Sequence, residues 1–133
     1  IGRSIKLVDG DDLLIIASGS MVKTALDCSK KLNEMKIYPE VINMHTIKPI
    51  DKDQIYKSIK GKKLVVTIEE HNVIGGLGSA VSEVISEIDS SPKKISFGIN
   101  DMYSKGGSYS YLKKKFGLDY NEISNTIERK LKN

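Results

Sequence analysis

At 133 residues, 39% of them hydrophobic and 29% charged, the chain has the size and composition of one soluble globular domain, long enough to bury roughly two-thirds of its unfolded surface around one core. No apolar run approaches the ~20 residues of a membrane span, and the N-terminus lacks the charged, apolar and small-residue regions of a signal peptide. The net charge of +4 does not describe a nucleic-acid surface, because the only arginines, Arg3 and Arg129, stand at opposite ends and the rest is lysine interleaved with Asp and Glu.

Ser4 to Val8 alternates polar and apolar residues like a half-buried strand, and Asp9-Gly10-Asp11 marks a turn. Leu13 to Ala17 is continuously apolar, as strands covered on both faces are. The expectation is an edge hairpin leading into a central strand. After Ser18-Gly19-Ser20, the residues Val22, Ala25, Leu26, Leu32 and Met35 recur at helical spacing, with Ser20 as N-cap and an end near Lys36. Pro39 to Met44 reads as the next parallel strand and His45 to Pro49 as a loop. Asp51 and Gln54 have capping-box spacing, Ile50 and Ile55 the spacing of a hydrophobic staple, and Gly61 closes that helix.

Lys63 to Ile68 is another strand, and Glu69-Glu70-His71-Asn72 then runs through Gly75-Gly76-Leu77-Gly78 into a helix whose buried face is Ala80, Val81, Val84, Ile85 and Ile88. Ser90-Ser91-Pro92 breaks it, and Lys94 to Ile99 supplies a short strand. Asn100 to Gly107 reads as a loop and Ser108 to Phe116 as a short helix. Asp119 and Glu122 form a second capping-box pattern, with Leu118 and Ile123 as its staple and Ile123, Ile127 and Leu131 as the buried stripe. The alternation of strand and helix predicts an α/β fold of three layers: a five-stranded, mostly parallel sheet with one antiparallel edge strand. One domain spanning residues 1–133 is expected, and the start at Ile1 reads as a fragment of a longer chain. The single cysteine, Cys28, forms no internal disulfide and fits a cytoplasmic setting.

In an open α/β sheet ligands and partners gather at the carboxyl ends of the strands, so Glu69 to Gly78 is the candidate functional loop. The recognised motifs fail there. Gly76-Leu77-Gly78 carries only the first two glycines of a dinucleotide fingerprint, since Val81 holds the third position, and no Walker A loop is present. Backbone amides at Ser18-Gly19-Ser20 or Gly76-Leu77-Gly78 are weak anion-site candidates. His45, His71, Glu69, Glu70 and Cys28 contain no metal-ligand pair at recognised spacing. Ser18 or Ser20, a histidine and Glu69 lack the nucleophile elbow of a hydrolase. The favoured reading of Glu69, Glu70 and His71 is a polar loop whose carboxylates bind neighbouring amides and whose imidazole seats a domain contact.

From Gly2 to Leu131 the chain resembles the C-terminal domain of the transketolase-like thiamine-diphosphate enzymes. The resemblance is carried by Asp12 to Ser20, by Thr46-Ile47-Lys48-Pro49-Ile50-Asp51 and above all by Thr67 to Val81. Three enzymes compete within the family: transketolase, deoxyxylulose-phosphate synthase and the beta subunits of 2-oxo-acid dehydrogenases. The dehydrogenase subunits usually carry a tryptophan-bearing stretch in place of Glu70-His71-Asn72, and this chain has no tryptophan. Tyr103 to Ser108, Tyr111-Leu112 and Lys115 to Leu118 are more similar to the C-terminal section of a split transketolase than to the synthase.

The resemblance implies thiamine diphosphate and magnesium in the full-length parent, held between two domains that are not in this sequence, with no cofactor and no metal expected in the fragment. It implies no catalytic residue here. Glu69, Glu70, His71, Asn72, Gly75, Gly76 and Gly78 are instead implied to dock on a pyrimidine-binding domain of the same or a partner chain within a homodimeric parent; no nucleic acid and no membrane is expected as partner. The alternative from another class is a free-standing nucleotide- or metabolite-binding module using the same sheet edge.

Overall fold

The computed structural model describes residues 3–70, 76–98 and 119–133. The two continuous apolar runs become neighbouring central strands, β2 (Leu13–Ala17) and, after β3 (Pro39–Asn43), β4 (Leu64–Ile68). Each residue of β2 and β4 is buried, because helices cover both faces of a parallel sheet. β2 pairs in parallel with β3 (Ile15 opposite Val41) and with β4 (Ile15 opposite Val66). β5 (Lys93–Phe97) runs parallel to β4, and β1 (Ile5–Val8) closes the other edge antiparallel to β3, giving the order β1-β3-β2-β4-β5.

The five-stranded, mostly parallel sheet with one antiparallel edge strand is thus as the sequence predicts, but the edge hairpin is not. β2 already has a parallel partner on each side, so β1 has no free edge of β2 to pair with. The turn after β1 lies instead against the start of β3: the Asp12 N–H donates to the Tyr38 carbonyl at 3.0 Å, and an Asp12 carboxylate oxygen accepts the Tyr38 N–H at 2.7 Å. Gly10 sits so close that a Cβ there would lie 2.4 Å from the Pro39 backbone.

Strand alternation divides the core in two. Leu13, Ile15, Val41, Val66 and Ile68 face a layer made by α1 (Met21–Glu34) and α4 (Tyr120–Lys132), through Ala25, Cys28, Leu32, Ile123 and Ile127. Leu14, Ile16, Ile42 and Val65 face α2 (Lys52–Ile59) and α3 (Leu77–Ile85), through Ile55, Ile59, Leu77, Val81 and Val84.

The helix boundaries follow local chemistry with five departures. α1 stops at Glu34 rather than Lys36, because Lys36 adopts a left-handed φ of 63°, and Ser20 holds the N-cap position without a side-chain capping bond. Asp51 does accept the Gln54 N–H at 3.2 Å, but the Gln54 amide reaches Ser58 Oγ instead of returning to the cap, so the box is half formed. The second oxygen of Asp51 accepts the Ser4 N–H and hydroxyl at 2.7 and 3.0 Å, fastening the chain ahead of β1 to α2. Asp119 accepts from Asn121 rather than Glu122. Gly61, at φ 75°, follows α2 as expected. Ile88 lies beyond the end of α3, half-buried against the same core. The expected loop 100–107, the helix 108–116 and the Leu118 half of the second staple fall outside the described residues.

A buried ionic cluster joins α2 to β3. Lys62 Nζ meets Glu40 Oε1 at 3.1 Å and donates to the Ser58 carbonyl at 2.8 Å, while the Ser58 hydroxyl donates to the other Glu40 oxygen. The ammonium therefore neutralises a buried carboxylate and closes the C-terminal end of a helix at once.

Candidate functional site

The carboxyl ends of β2, β3 and β4 lie side by side, held by bonds from the Met44 N–H to the Ala17 carbonyl at 2.9 Å and from the Ser18 N–H to the Ile68 carbonyl at 3.3 Å. This edge carries the candidate loop. Alternation along β4 sets Val65, Thr67 and Glu69 toward α3, and Glu69 is only 1% exposed. Its two carboxylate oxygens accept the Leu77 N–H at 2.8 Å and the Gly78 N–H at 2.6 Å. Gly76, the N-cap residue of α3, has no side chain to offer, so a carboxylate eight residues before Leu77 caps the helix. The negative charge sits at the positive end of the helix dipole, where charge-assisted bonds are strongest.

Beneath this cap lies a polar layer contributed by β5. Ser96 is registered opposite Thr67, and its hydroxyl accepts from Thr67 Oγ1 at 2.9 Å and from Lys94 Nζ. Burial pushes the Lys94 ammonium below its ordinary pKa, while the charge of Glu69 pulls it upward. Gly78 packs directly over these groups, since a Cβ at that position would lie 2.9 Å from Ser96 Oγ.

Glu69 thereby takes up the α3 amides named as an anion-site candidate, and Gly76-Leu77-Gly78 has its own carboxylate where a phosphate would bind. At the other candidate, the Ser18 N–H is engaged by the Ile68 carbonyl, and Gly19 adopts a left-handed φ of 61° on an exposed turn. Glu70 is half-buried, and its Oε1 is buried without a hydrogen-bond partner among the described residues. His71, Asn72 and Gly75 lie outside the described residues. His45 is exposed just past β3. Cys28 is remote in the α1–α4 layer, its thiol pushed up to about 12 by burial. Among the described residues, no group of three His, Cys, Asp or Glu side chains is placed to hold a metal ion.

Sequence reasoning missed Thr67, Lys94 and Ser96. The signal for Thr67 was the period of two that puts it, with Glu69, on the face of Val65; no sequence signal aligned β5 with it. Beside the cap, a cleft of about 240 Å³ runs between the 47–52 segment, which contains the cis Lys48–Pro49 bond, and α3.

The family model for the C-terminal domain of transketolase matches residues 2–123. A putative transketolase C-terminal section of Methanocaldococcus jannaschii is 45% identical over 99% of this chain and 41% of its own length. A 6-deoxy-6-sulfo-D-fructose transketolase subunit of a Clostridium species is 40% identical over 92% of this chain and 38% of its own. A 1-deoxy-D-xylulose-5-phosphate synthase of Halothermothrix orenii is also 40% identical, over 99% of this chain but 20% of its own length. Among solved structures, a split-gene transketolase described as an inactive beta4 tetramer superposes with a TM-score of 0.90 at 37% identity, over 98% of this chain and 43% of that one. The chain thus spans about two-fifths or less of the relatives it matches.

Proposed function

Because the chain belongs to the transketolase C-terminal domain family, we propose that it serves as the assembly domain of a parent transketolase that moves a two-carbon ketol unit between sugar phosphates. The observation that carries this reading is the inward turn of Glu69. The acidic group that begins the loop caps α3 with both oxygens and is only 1% exposed, which turns it away from a substrate at the sheet edge.

Thiamine diphosphate and magnesium belong to the parent in this proposal, and they supply the carbanion chemistry when bound. The described residues of this chain do not fit that pair. The α3 amides that would receive a diphosphate are taken by Glu69, and no acidic cluster of the kind magnesium needs is present among those residues. No step of the reaction is therefore assigned to this chain.

Docking on a pyrimidine-binding domain, of the same or a partner chain in a dimeric parent, is supported by the relatives and the solved structure of which this chain covers only about two-fifths. A two-chain parent is supported by the relatives named as a transketolase section, a transketolase subunit and a split-gene transketolase. The match to the synthase favours a second reading, in which the same domain serves a deoxyxylulose-phosphate synthase.

The test is reconstitution. The purified chain with thiamine diphosphate, magnesium and a ketose phosphate donor is expected to give no ketol transfer, and activity is expected to appear on adding the remaining section of the parent. Turnover by the chain alone would overturn the proposal. Ketol transfer to an aldose phosphate, rather than condensation of pyruvate with one, separates the transketolase reading from the synthase reading.

A further inference from the structure

β5 carries a lysine that the assembly role leaves without a task. Lys94 lies on the α3 side of the sheet, opposite Val65 and two residues before Ser96. It is half-buried, and its amine donates to the Ser96 hydroxyl. Among the described residues no carboxylate stands within ion-pair distance of it. Lys62, more deeply buried, is neutralised by Glu40 and closes α2. Lys31 donates to Asn121 at 2.7 Å on the α1–α4 surface, and the remaining described lysines are exposed.

This placement has a chemical consequence. A half-buried ammonium bonded to a hydroxyl loses hydration without gaining an adjacent opposite charge, which favours the neutral amine. Burial does lower the Lys94 pKa, although the charge of Glu69 works against it. The N–H given to Ser96 leaves the lone pair of the neutral amine free to attack. Because the burial is partial, a small electrophile can reach it.

We propose that Lys94 is a modification site, acylated without an enzyme by small acyl phosphates. The neutral Nζ attacks the acyl carbon and a C–N bond forms. The C–O bond to phosphate breaks, phosphate leaves with the electron pair, and the surplus amine proton passes to water. An acyl phosphate fits the site because it is small and already activated, so neither a bulky carrier nor an auxiliary base has to enter. The product is a neutral amide. It removes the positive charge that acts on Glu69, the carboxylate capping α3, so the modification bears on the loop after β4 through that cap.

Mass spectrometry of proteolytic peptides tests this on the full chain treated with acetyl phosphate. At about pH 8, acetyl transfer to Lys94 is expected to be at least about threefold faster than to the exposed Lys30 and Lys63. In concentrated urea the preference is expected to vanish, because unfolding gives the three amines the same solvent. The pH profile supplies a readout that accessibility alone does not move: the rate at Lys94 should level off at a lower pH than the rates at Lys30 and Lys63. Glu69 is the charged group acting on the amine, and its sheet neighbours Val65 and Ser96 carry no charge, so a single levelling step is expected. Labelling of Lys94 no faster than of the exposed lysines, a preference that persists in urea, or levelling at one common pH would each overturn the proposal.

Discussion

Glu69 and Gly78 hold each other in place: the carboxylate accepts the Gly78 N–H at 2.6 Å, and a Cβ on Gly78 would lie 3.3 Å from that same oxygen. The glycine is there for close approach, since its backbone stays within ordinary helix geometry. Gly78→Ala sets two effects in opposition. Alanine gains up to about 1 kcal/mol of helix propensity, but overpacking a tight interior costs about 1–3 kcal/mol. Ser96 Oγ, 2.9 Å from the added methyl, is tied to Thr67 and Lys94 and cannot easily turn aside. The expected net result is a loss of about 1 kcal/mol in urea unfolding, with Ser96→Ala recovering part of it in a double-mutant cycle.

Removing the cap should cost more. Glu69→Ala leaves two buried N–H groups without an acceptor, each worth about 1–3 kcal/mol when orphaned. A total near 3 kcal/mol is expected, and hydrogen exchange should show faster exchange at Leu77 and Gly78 than in the unaltered chain. Glu69→Gln retains the shape but sets an amide NH2 against an N–H, so an intermediate loss is expected.

The Glu40–Lys62 cluster calls for a different pattern. Lys62→Met strands a carboxylate, and Glu40→Gln strands an ammonium, in a site where each side chain is only 7% exposed. Each single change should cost about 3–5 kcal/mol, whereas Glu40→Gln with Lys62→Met should cost well under the sum of the two. Additivity in thermal or denaturant unfolding would show that the two residues act independently.

Asp51 links stability to pH. Burial raises its pKa, but the bonds from the Ser4 N–H, the Gln54 N–H and the Ser4 hydroxyl, together with the charge of Arg3, outweigh burial and hold it below the ordinary value of 3.8. A carboxylate with a depressed folded pKa stabilises above its unfolded pKa and loses that contribution as pH falls through the folded one. Asp51→Asn, which keeps a capping oxygen but loses the charge, should therefore cost about 0.3–1 kcal/mol at pH 7, the scale of a negative charge at a helix N-terminus, and the gap to the unaltered chain should close as pH falls through the depressed pKa.

Cys28 should be inert in the folded chain. Its thiol, raised to about 12 by burial, supplies almost no thiolate at pH 8. Labelling by an aromatic disulfide reagent should follow global opening and become rapid only in denaturant. Fast labelling of the native chain would place Cys28 at the surface.

What was legible in the sequence was what short-range chemistry determines. Leu13 to Ala17 and Leu64 to Ile68 announced central strands because both of their faces must be apolar, and Asp51, Gly61 and Asp119 marked helix ends through bonds within a few residues. Pairing across the sheet was not legible. Asp9-Gly10-Asp11 has the composition of a hairpin turn, yet β1 pairs with β3, because both edges of β2 are occupied by strands that arrive later in the chain. The Glu40–Lys62 pair joins residues 22 apart through no local pattern. Glu69 lay between the two: its residue type suggested chemistry, and only the parity it shares with Val65 and Thr67 pointed it inward toward the amides of α3.

The most direct measurement is made on the assembled parent carrying His71→Ala, with subunit or domain association followed by sedimentation and the chemical step by single-turnover ketol transfer. An assembly role predicts association weakened by about tenfold or more, with the chemical step in the intact assembly changed less than about twofold. Normal association with a chemical step slowed about a hundredfold or more would contradict it and return the loop after β4 to the active site.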